Sequence, residues 1–170
     1  MTAIQFPVYL AGMRLTAALL SSGIPNVARK NSSETAPASA ASVQDDNELF
    51  VSVAANASYL VDGWIIYTAT TNVPDLRTNW SYPSGASFSR TEWGAPTGST
   101  TGADTIDTTI ATTGDVSRGA DANPRSLYVK GDLIVGANAG TFTFRFGQVT
   151  SSAATVTVVA GSRIVLTRYA

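Results

Sequence analysis

The sequence predicts an all-β protein, an antiparallel β-sandwich of the jelly-roll type preceded by a short N-terminal arm. Three observations support this prediction. Charged residues make up only 14% of the 170 residues, while Thr, Ser, Ala and Gly are plentiful, a composition that suits strands and turns. From residue 43 onward, short segments of alternating apolar and polar residues are separated by turn-forming residues. A helical pattern occurs only near residues 16–23.

The arm, residues 1–42, is predicted to be an anchor followed by a tether. Thr16 is a suitable N-cap, residues 17–22 suit a short helix, and Gly23 stands where a left-handed residue ends one. Because so short a helix is not stable alone in water, it must pack either on its own sheet as a lid or on another subunit. The tether, residues 31–42, has few large side chains. The apolar side chains expected to anchor the arm are Phe6, Val8, Leu10, Leu15, Leu19, Leu20 and Ile24.

The β domain, residues 43–170, is predicted to contain about eight strands. The first two, 48–53 and 59–67, are separated by a short turn and are expected to pair as a hairpin. A long polar loop is predicted at 94–123, with at most one strand at 105–111. The other predicted strands are 76–80, 88–93, 126–136, 141–149, 154–160 and 162–169.

Strand 141–149 gives the clearest core prediction. Phenylalanine occupies alternate positions, so one face of this strand is expected to lie in the core. The predicted buried row is Phe142, Phe144 and Phe146. The residues expected to face solvent are Thr141, Thr143 and Arg145.

The composition excludes several functional classes. The chain has no Cys and no His, which rules out a disulfide framework, Cys or His metal ligands, and any catalytic triad that uses His. The formal net charge of -1 gives no general attraction to nucleic acid. Pro7, Gly12 and Arg14 interrupt the first apolar residues, so neither a signal peptide nor a membrane-inserted segment is expected. We therefore expect a non-enzymatic protein without cofactor or metal.

Two groups of carboxylates leave other chemistry open. An acid–base pair for glycoside cleavage would have to come from carboxylates in or beside a polar loop, where solvated side chains are the simpler expectation. The candidate carboxylates for this pair are Glu92, Asp104, Asp107 and Asp115. Residues 44–48, QDDNE, resemble part of a calcium loop but lack its central glycine and closing glutamate. They are expected to protect the edge of the first strand.

Four aromatic residues have two possible roles. Trp64, Trp80, Tyr82 and Trp93 are expected to be core or interface residues. The alternative is a carbohydrate-binding platform made of Trp80, Tyr82 and Trp93, because exposed rings also bind ligands.

Four stretches resemble short virion proteins of tailed bacteriophages that infect actinobacteria, which are described as minor tail or tail-fibre proteins. The stretches are AGMRLTAALLSSGIPNVARK (11–30), ELFVSVAANASYLVDGWIIYTA (48–69), DLRTNWSYPSGASF (75–88) and GTFTFRFGQVTSSAATVTVVAGSRIVLTRYA (140–170). The resemblance implies a structural component on the exterior of the virion, with other virion proteins as partners. The chain departs from the family's pattern at residues 1–10 and in the expanded loop 94–123.

Together with the sandwich prediction, the resemblance implies a homotrimer similar to tumour necrosis factor, by fold analogy. A tail component is expected to contact host cell-surface glycans. The alternative is a capsid decoration protein that clamps neighbouring capsomers, and a polysaccharide depolymerase is the enzymatic alternative. The number of copies per particle separates the first two, since a head carries far more copies than a tail.

Overall fold

All the regular secondary structure in the described residues, 11–16, 23–99 and 106–170 of a computed structural model, is β-strand. The strands are β1 (Asn26–Arg29), β2 (Glu34–Thr35), β3 (Gln44–Val53), β4 (Ser58–Ala69), β5 (Leu76–Ser81), β6 (Ser87–Gly94), β7 (Asp107–Ala111), β8 (Val116–Arg118), β9 (Arg125–Ile134), β10 (Gly140–Gln148), β11 (Val156–Val158) and β12 (Arg163–Arg168). The predicted helix, residues 17–22, lies outside the described residues.

The strands form two antiparallel sheets that pack face to face as a sandwich. The larger sheet has the order β1-β12-β4-β9-β6-β7, and β11 extends it by pairing with β4 and with β2. The smaller sheet has the order β3-β10-β5-β8. The long strand β4 organises the larger sheet, because β9 pairs along one edge and β12 and β11 share the other. The prediction of an all-β sandwich is confirmed.

An aromatic cluster joins the two sheets. Phe142, Phe144 and Phe146 of β10 have no exposed surface, which confirms the predicted buried row. Trp80 of β5 stacks on Phe142 with a centroid distance of 4.9 Å and meets Phe144 edge-on at 5.1 Å. Phe88, from the larger sheet, meets Phe142 edge to face at 4.9 Å. Rings from both sheets therefore interlock in the geometries that aromatic side chains prefer.

The outer side of β10 differs in part from its prediction. Thr143 points away from the phenylalanines, yet only 8% of its surface is exposed. It is covered because the neighbouring strands place Phe50 and Ser81 beside it. Thr141 is exposed and Arg145 is half-buried. The expectation that Thr143 faces solvent was therefore wrong.

The predicted hairpin between the first two strands does not form. β3 pairs with β10 in the smaller sheet, whereas β4 lies in the larger sheet. The turn between them crosses from one sheet to the other and is held by the backbone of residues 135 and 136, through bonds from Asn56 N–H to Gly136 O and from Val135 N–H to Ala57 O, each 2.8 Å. Asn56 has a φ of 53°, a left-handed conformation that Asn tolerates. Sequence proximity thus did not decide strand pairing here.

Part of the predicted arm is built into the sandwich. β1 pairs with β12 over four residues, and β2 pairs with β11. Directly after β2, Ala36 is buried, and its N–H donates to Val156 O at 2.8 Å. The guanidinium of Arg77 bonds Ala41 O at 2.8 Å. Residues 26–42, predicted to include a free tether, are therefore attached to the sandwich, because their backbone groups extend the larger sheet.

The predicted polar loop at 94–123 contains more structure than expected. β7 corresponds to the one strand predicted there and pairs with β6. β8 was not predicted, since its three residues are too few to show alternation, and it pairs with β5. Residues 100–105 lie outside the described residues. As the edge strand next to β6, β7 widens the larger sheet and enlarges its outer face.

Candidate assembly surface

The outer face of the larger sheet is unusually apolar. In β4, Tyr59, Val61 and Ile65 point into the core. The even-numbered residues of this strand, which include Leu60, Trp64 and Ile66, therefore point outward. Strand register then places apolar side chains of five further strands on the same side. We call this side the apolar face; its residues are Val27, Leu60, Trp64, Ile66, Trp93, Ile110, Tyr128, Ile134 and Val165.

Several members of the apolar face are largely exposed. Leu60 has 57% of its surface exposed, Tyr128 52% and Ile134 50%. At the two edges of the sheet, Val27 and Ile110 reach 60% and 77%. Single exposed apolar residues are ordinary, and polar residues such as Asp62, Thr91 and Lys130 lie between these on the same side of the sheet. Several large apolar residues on one sheet face nevertheless favour a surface that another protein covers.

An aromatic row crosses the centre of the apolar face. Trp64 of β4 pairs with Tyr128 of β9, which pairs with Trp93 of β6. The rings of Trp64 and Tyr128 are stacked, with centroids 6.5 Å apart and planes 14° from parallel. On its other side Trp64 lies under the guanidinium of Arg163, 4.4 Å from the ring centroid. The Nε1–H of Trp64 bonds Ser126 Oγ at 3.0 Å and fixes the indole.

This packing determines which ligands the row suits. Both faces of the Trp64 ring are occupied, one by Tyr128 and one by Arg163. A sugar ring binds an aromatic residue by lying on a free face, so Trp64 cannot be a flat platform for it. Aromatic and aliphatic side chains on one face favour a protein partner, and aromatic residues with Arg are enriched in such interfaces.

Two polar contacts lie within or beside the apolar face. Lys130 and Asp62, on neighbouring central strands, form an ion pair of 3.0 Å with both side chains mostly exposed. The Tyr169 hydroxyl donates to Asp132 Oδ1 at 2.6 Å, and this hydrogen bond raises the pKa of Tyr169. The hydroxyl therefore stays a donor at neutral pH. A partner would meet a largely apolar surface with one ion pair to set its orientation.

The outer face of the smaller sheet has the opposite character. Arg145 and Asp45 form an ion pair of 2.6 Å, and Arg77 lies 3.6 Å from Asp115. Phe50, 49% exposed, is a large apolar residue among these polar neighbours. This side is a normal solvated surface, so the two faces of the sandwich are chemically distinct.

The predicted carbohydrate platform is not assembled. Trp80 is 4% exposed and belongs to the core, because its place in β5 points it between the sheets. This agrees with the expectation of a core or interface residue and corrects the alternative in which Trp80 is a surface contact. Tyr82 follows β5 and packs against the core. Trp93 lies on the apolar face of the other sheet. The sequence prediction missed Trp64 and Tyr128 as partners of Trp93, since only the strand register brings them together.

Two of the anchor candidates lie in the described residues. Leu15 and Ile24 are 60% and 64% exposed. Phe6, Val8, Leu10, Leu19 and Leu20 lie outside the described residues. Leu15 and Ile24 are thus available to another molecule.

Of the carboxylates considered for catalysis, the three in the described residues each bond a different side chain. Glu92 is fully buried between the sheets, and its Oε1 accepts a 2.6 Å bond from Arg90. Asp107 bonds Arg118 at 3.0 Å, and Asp115 accepts a bond from Asn79. Asp104 lies outside the described residues. Within the described residues, no group of three or more side chains is arranged to hold a metal ion.

No helix in the described part of the chain is long and apolar enough to cross a membrane.

Neither a protein-family model nor a curated protein sequence matches this chain. Among solved structures it is similar to the infectious bursal disease virus Gt strain, at 10% identity and a TM-score of 0.21, covering 85% of this chain and 40% of that one. It is also similar to the VP2 subviral particle of the same virus, at 12% identity and a TM-score of 0.25, covering 85% and 42%. The chain spans less than half the length of these proteins. The similarities are weak, and the proposals below rest on the chain's own residues.

Proposed function

We propose that this chain is a non-enzymatic structural module of a tailed-phage virion, displayed on the particle exterior and assembled as a homo-oligomer through its apolar face. The single observation that carries the assembly proposal is the aromatic row on the outer face, in which Tyr128 is exposed and Trp64 and Trp93 are half-buried. The four stretches that resemble minor tail and tail-fibre proteins support the virion location. Placement on the tail is the first choice, and capsid decoration is the alternative.

Strand pairing supports a jelly roll as the fold. A jelly roll is a long antiparallel hairpin rolled into two sheets, in which the first of eight strands pairs with the last and each later pair lies inside the previous one. The pairs β1·β12, β3·β10, β4·β9 and β5·β8 follow this order. The β6–β7 hairpin and the β2·β11 pair are then additions to it. Similarity to the tumour necrosis factor trimer remains an analogy of fold.

The contrast between the two outer faces supports self-association. Aromatic and aliphatic surface is costly to expose, at about 25 cal/mol for each Å², and the larger sheet exposes it across its width. In a closed ring of copies, each copy can cover part of its neighbour's apolar face. By fold analogy with the tumour necrosis factor trimer, we propose a ring of three copies.

Introducing a charge into the apolar face is expected to abolish self-association. Leu60→Glu and Tyr128→Glu should convert the closed oligomer to monomer, because each would bury an unpaired carboxylate. Light scattering coupled to size-exclusion chromatography measures the mass. Thr141→Glu, on the exposed outer side of the smaller sheet, is the matched control and should leave the oligomer intact.

A wild-type protein that is a folded monomer at micromolar concentration would contradict the assembly proposal. So would an oligomer that survives both Leu60→Glu and Tyr128→Glu. Counting copies per particle then separates the two locations, with a small number expected for the tail and hundreds for the head.

Host-surface glycan remains a predicted partner of the tail component. Trp80, buried in the core, cannot take part in its binding. In the proposed oligomer the apolar face, which includes Trp93, is covered, so glycan would have to bind elsewhere. Host cell-wall polysaccharide should therefore co-sediment with the wild-type oligomer and with Trp93→Ala equally well. If Trp93→Ala alone loses binding, the ring of Trp93 is the contact and the apolar face is not fully covered.

The N-terminal segment is proposed to attach the module to other virion proteins. Deleting residues 1–24 keeps β1, which pairs with β12, so the sandwich should retain its melting temperature while incorporation into particles is lost. Leu15 and Ile24, both exposed, illustrate the apolar surface that is available for docking. Calorimetry and quantification of purified particles provide the two measurements.

The lid alternative makes the opposite prediction. If the segment covers its own sheet, the same deletion should lower the melting temperature of the isolated protein, and poor incorporation would follow from that loss. A strongly destabilised truncated protein would reject the anchor.

A further inference from the structure

A lysine side chain is completely buried at one edge of the sandwich. Lys30 follows β1 directly and has no exposed surface. Its Nζ lies 2.8 Å from Glu34 Oε2, 2.9 Å from Asp46 Oδ1 and 3.0 Å from Asn47 Oδ1. Lys130, by contrast, is 68% exposed in its side chain. A buried amine held against both a carboxylate and a carboxamide is an unusual combination that calls for a chemical explanation.

An irregularity in β3 brings Asp46 and Asn47 to this lysine. The pairing of β3 with β10 shifts in register, so that residues 46–49 of β3 bulge opposite a single residue of β10. Asp46 Oδ1 accepts the N–H groups of Glu48 and Leu49 at 2.9 and 2.8 Å. These bonds hold the bulge closed and fix the carboxylate beside Lys30.

The second oxygen of Asp46 is the remaining clue. Asp46 is 2% exposed, and its Oδ2 is buried without a hydrogen-bond partner in the described part of the chain. A bare carboxylate oxygen in such a place is costly. Taking up a proton would remove that cost, and the nearest donor is the Lys30 ammonium, which lies 2.9 Å from the other oxygen of the same carboxylate.

We propose that Lys30 and Asn47 form an intramolecular isopeptide bond, with Asp46 as the proton carrier. The ammonium of Lys30 transfers a proton to the Asp46 carboxylate, whose Oδ1 lies 2.9 Å from Nζ, and this replaces two buried charges by two neutral groups. The lone pair of Nζ attacks the carboxamide carbon Cγ of Asn47, which is bonded to the oxygen 3.0 Å away. Fixed proximity of this kind accelerates such attacks strongly.

The reaction balances without any other reagent. The Nζ–Cγ bond forms, and Nζ passes its second proton to the Asn47 side-chain nitrogen as the bond from Cγ to that nitrogen breaks. Asp46 returns the first proton to the same nitrogen, so it leaves as ammonium and Asp46 is a carboxylate again. The new amide keeps one N–H, which donates to Glu34 Oε2, and Glu34 is held in place by Gln44 Nε2 at 2.9 Å and by the N–H of Asn47 at 3.0 Å.

A third carboxylate near the lysine, besides Glu34 and Asp46, has a separate task. Glu48 Oε2 lies 4.0 Å from Nζ and accepts the N–H groups of Asn31 and Ser32 at 3.1 and 3.0 Å. These backbone bonds are the main reason that its pKa lies below the usual value. Glu48 therefore remains ionised and holds the loop after Lys30.

The bond would tie the end of β1 covalently to β3, across 17 positions of sequence. Like a disulfide, it would restrict the unfolded chain, in a protein that has no cysteine. It would also give the N-terminal segment a second covalent connection to the sandwich, besides the main chain. The reaction needs only the folded chain, so it does not depend on the proposed place in a virion.

The intact mass of the purified, denatured protein tests this proposal. The wild type should be lighter than its sequence by one ammonia molecule. In a tryptic digest, residues 30–77 should appear as one peptide that is not cleaved after Lys30, and its tandem mass spectrum should lack backbone fragments between Lys30 and Asn47. Lys30→Arg and Asn47→Ala should each have the full sequence mass. Lys130→Arg is the matched control and should keep the deficit. Asp46→Asn, which retains the oxygen that closes the bulge, should show little or no deficit.

A wild-type protein with the full sequence mass and with trypsin cleavage after Lys30 would overturn the proposal. A deficit that persists in Lys30→Arg would also overturn it, because ammonia would then have been lost from an asparagine elsewhere.

Discussion

Replacing Phe144 with Ala is expected to lower the free energy of unfolding by about 3–5 kcal/mol, the range for a buried aromatic residue in a packed core. Phe144 has no exposed surface and contacts Trp80 and Phe146, with centroids 5.1 and 6.2 Å away. The cavity would lie where the two sheets meet, so neither sheet can close it without disturbing the other. Urea titration at a fixed protein concentration measures the loss.

Thr141→Ala is the matched control in the same strand. Thr141 is exposed, so its replacement should change the free energy of unfolding by less than about 0.5 kcal/mol. Thr143 is unsuitable for this comparison because Phe50 and Ser81 cover it. Similar losses for Phe144→Ala and Thr141→Ala would mean that the face assignment of β10 is wrong.

Removing the buried carboxylate of Glu92 is expected to be about as damaging. Its two oxygens accept hydrogen bonds from Arg90 Nε at 2.6 Å, Thr78 Oγ1 at 2.9 Å and Trp80 Nε1 at 3.2 Å. Glu92→Ala would leave the Arg90 guanidinium, only 2% exposed in its side chain, without its counter-charge. The expected cost is about 3–5 kcal/mol, as for breaking other buried ion pairs.

A double substitution separates the loss of the pair from the loss of packing. Arg90→Met with Glu92→Leu removes both charges and keeps much of the volume, so it should be far less destabilising than Glu92→Ala. A double-mutant cycle in urea provides the comparison. If the double variant is as unstable as Glu92→Ala, the ion pair is not the source of the effect.

The strands with clear alternation were predictable because a strand's side-chain repeat is local. Phe142, Phe144 and Phe146 occupy every second position, and the backbone alone sends them to one side. The same rule predicted the strand around Leu49 and Val51, and the strand that holds Ile65. Short strands such as β2 and β8 carry too few residues to show a repeat, and they form because a neighbouring strand supplies hydrogen bonds.

The candidate assembly surface was predictable only in part. Trp93 was recognised as a possible contact, but Trp80, in an equally aromatic segment, turned out to lie in the core. Trp64 and Tyr128 are far apart in sequence and become neighbours only through the pairing of β4 with β9. An aromatic residue in a strand has two possible sides, and the rest of the sheet determines which one is covered.

The chain's local pattern was sufficient to establish an all-β protein, its longest strands and its phenylalanine row, because each depends on residues within a few positions of one another. Tertiary structure alone decided that β3 and β4 lie in different sheets, that Lys30 is buried beside Asp46 and Asn47, and that one outer face is apolar. These features arise from pairing between distant strands, whose register is set by the summed packing of both sheets rather than by any short stretch of sequence.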